Sequence, residues 1–230
     1  MKPTFAFVLA ACSVLMPAYS QAGGLQPRNA VRIGYADIQF NTDSADMTGM
    51  PGTTPANVQA VIRDSQTLAL VYERRLAGPW SLVFQVGSPP VIDFDGAGVA
   101  APLGKVGSAR AWFPAILLAY NFDVYGLQPY VAAGVNYTWF SEENITASYN
   151  AAFGGTSSTS RLDDSWGGVA KIGVDIPLAG NWSVGLAWTR YWIDTTATIK
   201  TRTPGLGEIK RKIDIEADPD VYSFTLGYRF

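Results

Sequence analysis

The chain has no histidine and a single cysteine, Cys12. Without histidine the usual general base of a hydrolase or acyltransferase is missing, and imidazole metal sites are excluded. One cysteine close to the N-terminus gives neither a disulfide framework nor a thiolate metal centre. Charge is scarce as well. Charged residues are 16 % of the chain, against about 25 % in an average soluble domain. The net charge of −2 is too weak to suggest a nucleic-acid partner. Beyond the N-terminal segment, no apolar run approaches the ~18 residues that a transmembrane helix needs. Asp163 and Asp164 are adjacent, so in a strand they point apart and make a poor acid/base pair. Gly154-Gly155 lacks the strand–helix context of a phosphate loop. No catalytic residue, metal or cofactor is expected, and the chain is not expected to be an enzyme.

What is abundant is aromatic. Phe, Trp and Tyr make up 13 % of the chain, with 7 Trp and 11 Tyr. Trp and Tyr favour the two membrane–water interfaces. The N-terminal segment is a secretion signal in form: Lys2, then an apolar run from Phe5 to Met16, then small residues at Ser20 and Ala22. Residues 1–22 are the expected signal peptide, leaving 23–230 as one β domain. Leu9-Ala10-Ala11-Cys12 also fits a lipoprotein processing site, but the apolar run before it would be very short.

The last ten residues, Val221 to Phe230, alternate cleanly. Tyr222, Phe224, Leu226, Tyr228 and Phe230 share one face; Ser223, Thr225, Gly227 and Arg229 share the other. That is the period of a strand. Behind a secretion signal, its recurrence predicts an all-β, eight-stranded antiparallel transmembrane β-barrel in a Gram-negative outer membrane. The predicted strands are 30–40, 65–76, 80–87, 109–122, 127–141, 165–176, 182–195 and 212–230. Short turns (77–79, 123–126, 177–181) alternate with long connections (41–64, 88–108, 142–164, 196–211). That is the layout of periplasmic turns and extracellular loops. Residues 150–160 read as a polar, low-complexity loop.

Parity then sorts the side chains. Arg32, Glu73, Arg75, Lys171, Asp175 and Arg229 fall inward near the periplasmic end. They are expected to pair into a plug; a solvated rim is the other reading. Higher up, Val83, Phe113, Ala115, Leu117, Thr138 and Phe140 fall inward. Val83, Phe113, Leu117 and Phe140 suit a dry apolar lumen, unless the barrel is simply filled by side chains. Pro89 and Pro90 extend the third strand and Pro114 lies in the fourth. Proline removes a ladder donor, so these strands should pair badly and leave a lateral opening, or a mere bulge. Arg190 lands on the lipid face and is expected at the outer interface, snorkelling; a bulge that turns it inward is the other reading.

Several stretches carry a resemblance. AWFPAILLAYNF (111–122), LQPYVAAGVNYTWF (127–140), DDSWGGVAKIGVD (163–175), Ile193 to Ala197 and the closing GYRF are similar to the outer-membrane protein W family, which includes alkane-import outer-membrane proteins. The resemblance implies an eight-stranded barrel with a hydrophobic channel and a lateral wall opening. It implies passive uptake of small hydrophobic solutes into the lipid of the outer membrane, and, in some members, binding of phage or bacteriocin. Tyr228 and Phe230 resemble the signal read by the barrel assembly machinery. The competing expectation is a non-conducting barrel that presents its loops for adhesion, stress resistance or phage or bacteriocin binding.

Overall fold

The computed structural model describes residues 28–230, so the expected signal peptide lies outside the described residues. Runs in which Val, Ile, Leu or an aromatic alternates with Gly, Ala, Ser or Thr become long strands. The described residues form β1 (Asn29–Gln39), β2 (Asp43–Ser44), β3 (Thr48–Gly49), β4 (Val58–Ile62), β5 (Ser65–Arg75), β6 (Trp80–Gly87), β7 (Val91–Gly98) and β8 (Lys105–Trp112). They continue with β9 (Ala115–Asn121), β10 (Gln128–Ile145), α1 (Ala147–Ala152), β11 (Ser157–Leu162), β12 (Ser165–Pro177), β13 (Trp182–Tyr191), β14 (Asp194–Thr203), β15 (Gly207–Glu216) and β16 (Asp220–Arg229).

Eight of these close the barrel in the order β12-β13-β16-β1-β5-β6-β9-β10, with β10 pairing back onto β12. Every pairing is antiparallel. Closure removes the unpaired edges that no membrane-spanning sheet can leave in lipid. The turn between β9 and β10 shows the local logic. Val124 and Leu127 exchange backbone hydrogen bonds at 3.0 Å. Tyr125 and Gly126 between them hold φ of 52° and 82°, the left-handed pair of a primed hairpin.

Parity holds through the wall. Leu68, Ile116, Leu118, Val131, Val135, Ile172, Leu186 and Phe224 are exposed toward lipid, while Ala69, Val71, Leu117, Ala132 and Val169 are buried inside. Arg190 is on the lipid side at the outer end of β13, where its guanidinium meets Asp220 at 2.9 Å and Asp218 at 3.5 Å.

The long connections are where the structure departs from expectation. They are not loops; they carry β2, β3, β4, β7, β8, β11, β14 and β15. The β4-β7-β8 group continues the wall upward from β10. A second sheet runs β11-β14-β15-β2, with β3 also on β15. Residues 150–160, expected as a loop, hold the end of α1 and the start of β11. The predicted fourth strand breaks at Phe113-Pro114, because Pro114 cannot donate to the ladder. The predicted seventh strand breaks at Trp192-Ile193. The predicted eighth breaks at Ala217 to Pro219, around a proline and an Asp218 with φ of 34°.

Candidate functional site

Inside the lower barrel, the inward parity of four strands brings charge together. Arg32 Nη2 donates to both Glu73 and Asp175, and its Nε donates to Asp175 Oδ1 at 3.1 Å. All three side chains are at most 6 % exposed. Lys171 is buried beside them but donates to Gln85 Oε1 at 2.5 Å, and Gln85 Nε2 donates in turn to the Tyr191 hydroxyl at 2.6 Å. Arg75 and Arg229, half-buried, converge on the Oε1 of Gln128, the former at 2.9 Å. The six predicted plug residues thus fall into three adjacent groups. The gap left among Arg32, Glu73, Tyr130, Lys171 and Thr225 is about the size of one water molecule. The linking residues Gln85, Gln128 and Tyr191 went unnoticed in the sequence, since a neutral side chain among Ser, Thr and Gly carries no charge signal.

Above this layer the interior is apolar and filled. Val83 and Leu117 are register partners on β6 and β9, and both are buried. Phe113 meets Tyr191 edge-on at 5.5 Å. Phe113 and Phe140 pack, partly buried, against the same apolar cluster, which runs without a break into the outer sheets. Asn136 Nδ2 donates to Thr138 Oγ1 at 2.8 Å, which satisfies a hydroxyl inside it.

A more open space lies higher still, between the two outer sheets. A cavity of about 50 Å³, partly open to solvent, is lined by side chains of both. Met47, Phe94, Tyr149, Phe153, Ile199 and Ile213 give it a predominantly apolar wall. None of Val83, Phe113, Leu117 and Phe140 lines it. They sit below it, in the packed barrel. The cavity residues come from segments whose Gly, Ser, Thr and Asp content suggests loops. The available signal was the alternation of Ile209, Ile213 and Ile215 with charged residues in β15. On the same wall, burial pushes the Tyr149 hydroxyl up from its ordinary pKa, with nearby Arg211 acting in the opposite direction.

The prolines mark an interruption in the wall. Register pairing between the third and fourth barrel strands stops at Gln85↔Ala115 and resumes, one residue out of step, at Val91↔Arg110. Between those points Ala111 N donates to Pro90 O at 3.1 Å. The Phe113 amide has no backbone partner among the described residues, while Pro89, Pro90 and Pro114 lack an amide hydrogen altogether. The other side of Pro114 is held: its carbonyl accepts from Tyr137 N at 3.2 Å.

Tyr228 and Phe230 lie on the lipid face at the closing seam. Tyr228 packs on Trp182 with ring centroids 5.0 Å apart, and Phe230 exchanges backbone hydrogen bonds with Asn29 at 2.9 and 3.1 Å.

Comparisons with known proteins agree with this architecture. A family model described as the OmpW family matches residues 30–230. Outer membrane protein W of Vibrio cholerae is 33 % identical over 135 residues, 58 % of each chain. Outer membrane protein W of Escherichia coli is 38 % identical over 103 residues, 45 % of each. The chain spans about half the length of the curated relatives it matches. Among solved structures, the outer membrane protein OprG from Pseudomonas aeruginosa is similar with a TM-score of 0.78 at 28 % identity, covering 89 % of this chain and 96 % of that one.

Proposed function

The chain belongs to the OmpW family of Gram-negative outer-membrane barrels, and from that premise we propose passive uptake of small hydrophobic molecules with lateral exit into the bilayer. The observation that carries this reading is the apolar cavity, open to solvent, at the outer end of a barrel whose axis is filled. A solute enters that cavity and sheds its water against Phe94, Ile199 and Ile213. It passes down the continuous apolar cluster toward Phe113, Leu117 and Phe140. Below them the Arg32–Glu73–Asp175 group, with Lys171, Arg75 and Arg229, closes the axial path. The exit is the interrupted wall at Pro89, Pro90 and Pro114. No energy source is needed. Apolar area moved from water into lipid is stabilised by roughly 25 cal/mol per Å², so the membrane is the sink. Tyr228 and Phe230 serve in this reading as the assembly signal.

The test compares uptake of an octane-like probe and of a polar solute of similar size, in cells with and without the protein. Leu117→Arg and Ser160→Trp run alongside, the first charging the packed lumen and the second filling the outer cavity. Acceleration of the apolar probe alone, lost in both folded variants, supports the conduit. Equal rates with and without a correctly folded barrel overturn it.

A second reading rests on a different observation. The solvent face of β11, β14 and β15 exposes Arg161, Lys200, Arg202, Lys210 and Lys212 together with Asp194, Glu208, Asp214 and Glu216. A barrel that presents this charged face for adhesion, or to phage or bacteriocin, would lose binding when these residues are neutralised and would show no solute uptake.

A further inference from the structure

Arg211 stands on the inner face of β15, between Ile209 and Ile213. It is 1 % exposed. Its Nε donates to Thr54 Oγ1 at 3.2 Å and its Nη2 to the Thr53 carbonyl at 2.9 Å. Its guanidinium lies 4.7 Å over the ring of Phe153, which lines the outer cavity. Its Nη1 is shielded from solvent and has no hydrogen-bond partner among the described residues. Nor does any carboxylate among the described residues form an ion pair with it. Arg32 deep in the barrel has two carboxylates; Arg211 has two neutral oxygens and an aromatic face. A buried charge is costly unless it is paired.

A second donor lies close by. Tyr149, also lining the cavity, stacks on Phe153 with centroids 4.4 Å apart and is 2 % exposed. Its hydroxyl reaches the Met47 sulfur at 3.8 Å, a weak acceptor, and faces the Arg211 guanidinium and the Thr201 hydroxyl. The unpartnered Nη1 of Arg211 thus lies behind Phe153, and the Tyr149 hydroxyl lies beside it on the apolar wall. The missing complement is a compact anionic acceptor. A guanidinium fork matches the two oxygens of a carboxylate. A phosphate dianion would call for more positive charge than this single arginine supplies.

We propose that Arg211, assisted by the Tyr149 hydroxyl, is the polar anchor of the outer cavity. The solutes taken there carry one carboxylate head on a short apolar chain. The head meets Arg211 and the chain lies along Phe153, Ile199 and Ile213. The proposal rests on the reading of this cavity as the entry point for solutes.

The test uses the full barrel in lipid nanodiscs, with empty discs as the blank. Binding of carboxyl-13C octanoate is compared with that of octanol by NMR titration. Wild type should prefer octanoate about tenfold or more, the range of a charge-assisted hydrogen bond. Arg211→Met should lose that preference and keep octanol binding. Arg211→Lys, which keeps charge but not the fork, should retain part of it. Tyr149→Phe should weaken octanoate only, which keeps the test open if Arg211→Met does not fold. The preference should also vanish as the pH falls below about 4.5, where the carboxylate takes up its proton. Equal affinities in wild type, or an undiminished preference in folded Arg211→Met, overturn the proposal. Octane uptake in cells, measured in parallel, separates the two claims. Uptake without head-group preference overturns the anchor alone. Head-group preference without octane uptake supports the anchor and overturns the apolar-uptake reading.

Discussion

Arg32 is held by two carboxylates in the barrel interior, Glu73 and Asp175, and that makes it a test of what the ion cluster contributes. Removing one partner of a buried pair leaves uncompensated charge, which costs about 3–5 kcal/mol, whereas neutralising the whole group can be nearly neutral. Arg32→Met should therefore lower the urea midpoint of the barrel in vesicles markedly. The triple change Arg32→Met, Glu73→Gln, Asp175→Asn should recover most of it. Equal losses in single and triple variants would sink the cluster as the cause. By contrast Lys200→Ala, which removes the exposed 3.2 Å pair with Glu208, should change stability by no more than about 1 kcal/mol. Backbone approach sets a different constraint at Gly34. A Cβ there would lie 1.9 Å from the Phe224 carbonyl oxygen. Gly34→Val should block closure of the β1–β16 seam, seen as loss of the heat-modifiable folded band on a gel. At this scale the sequence was legible where parity and charge coincide, as at Arg32, Glu73 and Asp175. It was not legible at Arg211, which falls in a stretch that composition marks as a connection. Only the position of Arg211 between Ile209 and Ile213 betrays an inward side chain.

The element that most directly bears on a lateral exit is the long hairpin formed by β6–β7 and β8–β9. Its ladder is paired below Gln85↔Ala115 and above Val91↔Arg110, where it shifts once more at Phe94–Asp95, and it is interrupted between. Amides without a ladder partner exchange through small local openings, and paired core amides only through larger ones. The Phe113 amide should thus exchange with deuterium at least about a hundredfold faster than that of Leu117, a span of local opening energies that barrels readily show. Comparable protection at both would mean that the ladder is continuous. The outer sheets carry their own prediction. Ile213 is 3 % exposed and lines the cavity. Ile213→Asp should abolish binding of an apolar probe while the barrel below still shifts on a gel when heated. The membrane strands were legible because lipid imposes one rule on all of them: large apolar residues outward, small residues inward. The outer strands obey a looser rule. Their solvent faces carry Lys, Arg, Asp and Thr, their inner faces mix Ile with Ala and Thr, and Gly and Ser are interspersed, so half of the alternation is lost in a loop-like composition. The strand breaks were legible at Pro114, where a donor is missing, but not at Trp192-Ile193, which contains neither proline nor glycine.

Across the whole molecule, the lipid face ends in aromatics at both rims. Trp80 packs edge-on against Tyr120 at 5.0 Å near the short turns, with Phe122, Trp182 and Tyr228 around the same rim. At the other rim Trp112 stacks on Trp139 at 5.6 Å, and Tyr137 packs against Trp166 at 4.8 Å. Between the rims the exposed side chains are mostly aliphatic, among them Leu68, Ile116, Leu118, Val135, Ile172 and Leu186, with Tyr35 and Phe224 interspersed. Val131 pairs with Tyr120 at the inner rim and Trp139 pairs with Trp112 at the outer one. The strand between them, rising ~3.4 Å per residue and tilted by ~40°, spans about 20 Å along the membrane normal. That is close to the ~25 Å apolar band of outer-membrane barrels, so the rims sit at the head groups and Val135 near the midplane. Single-tryptophan barrels test this depth directly. With the other tryptophans replaced by Phe, Trp139 or Trp182 should be quenched most by lipids brominated close to the head group. A tryptophan placed by Val135→Trp in a barrel otherwise free of it should be quenched most by lipids brominated near the chain ends. The opposite order would displace the barrel along the normal by half a leaflet. It would also carry the Pro89, Pro90 and Pro114 interruption, which lies just inside the outer rim, away from the lipid that a lateral exit requires.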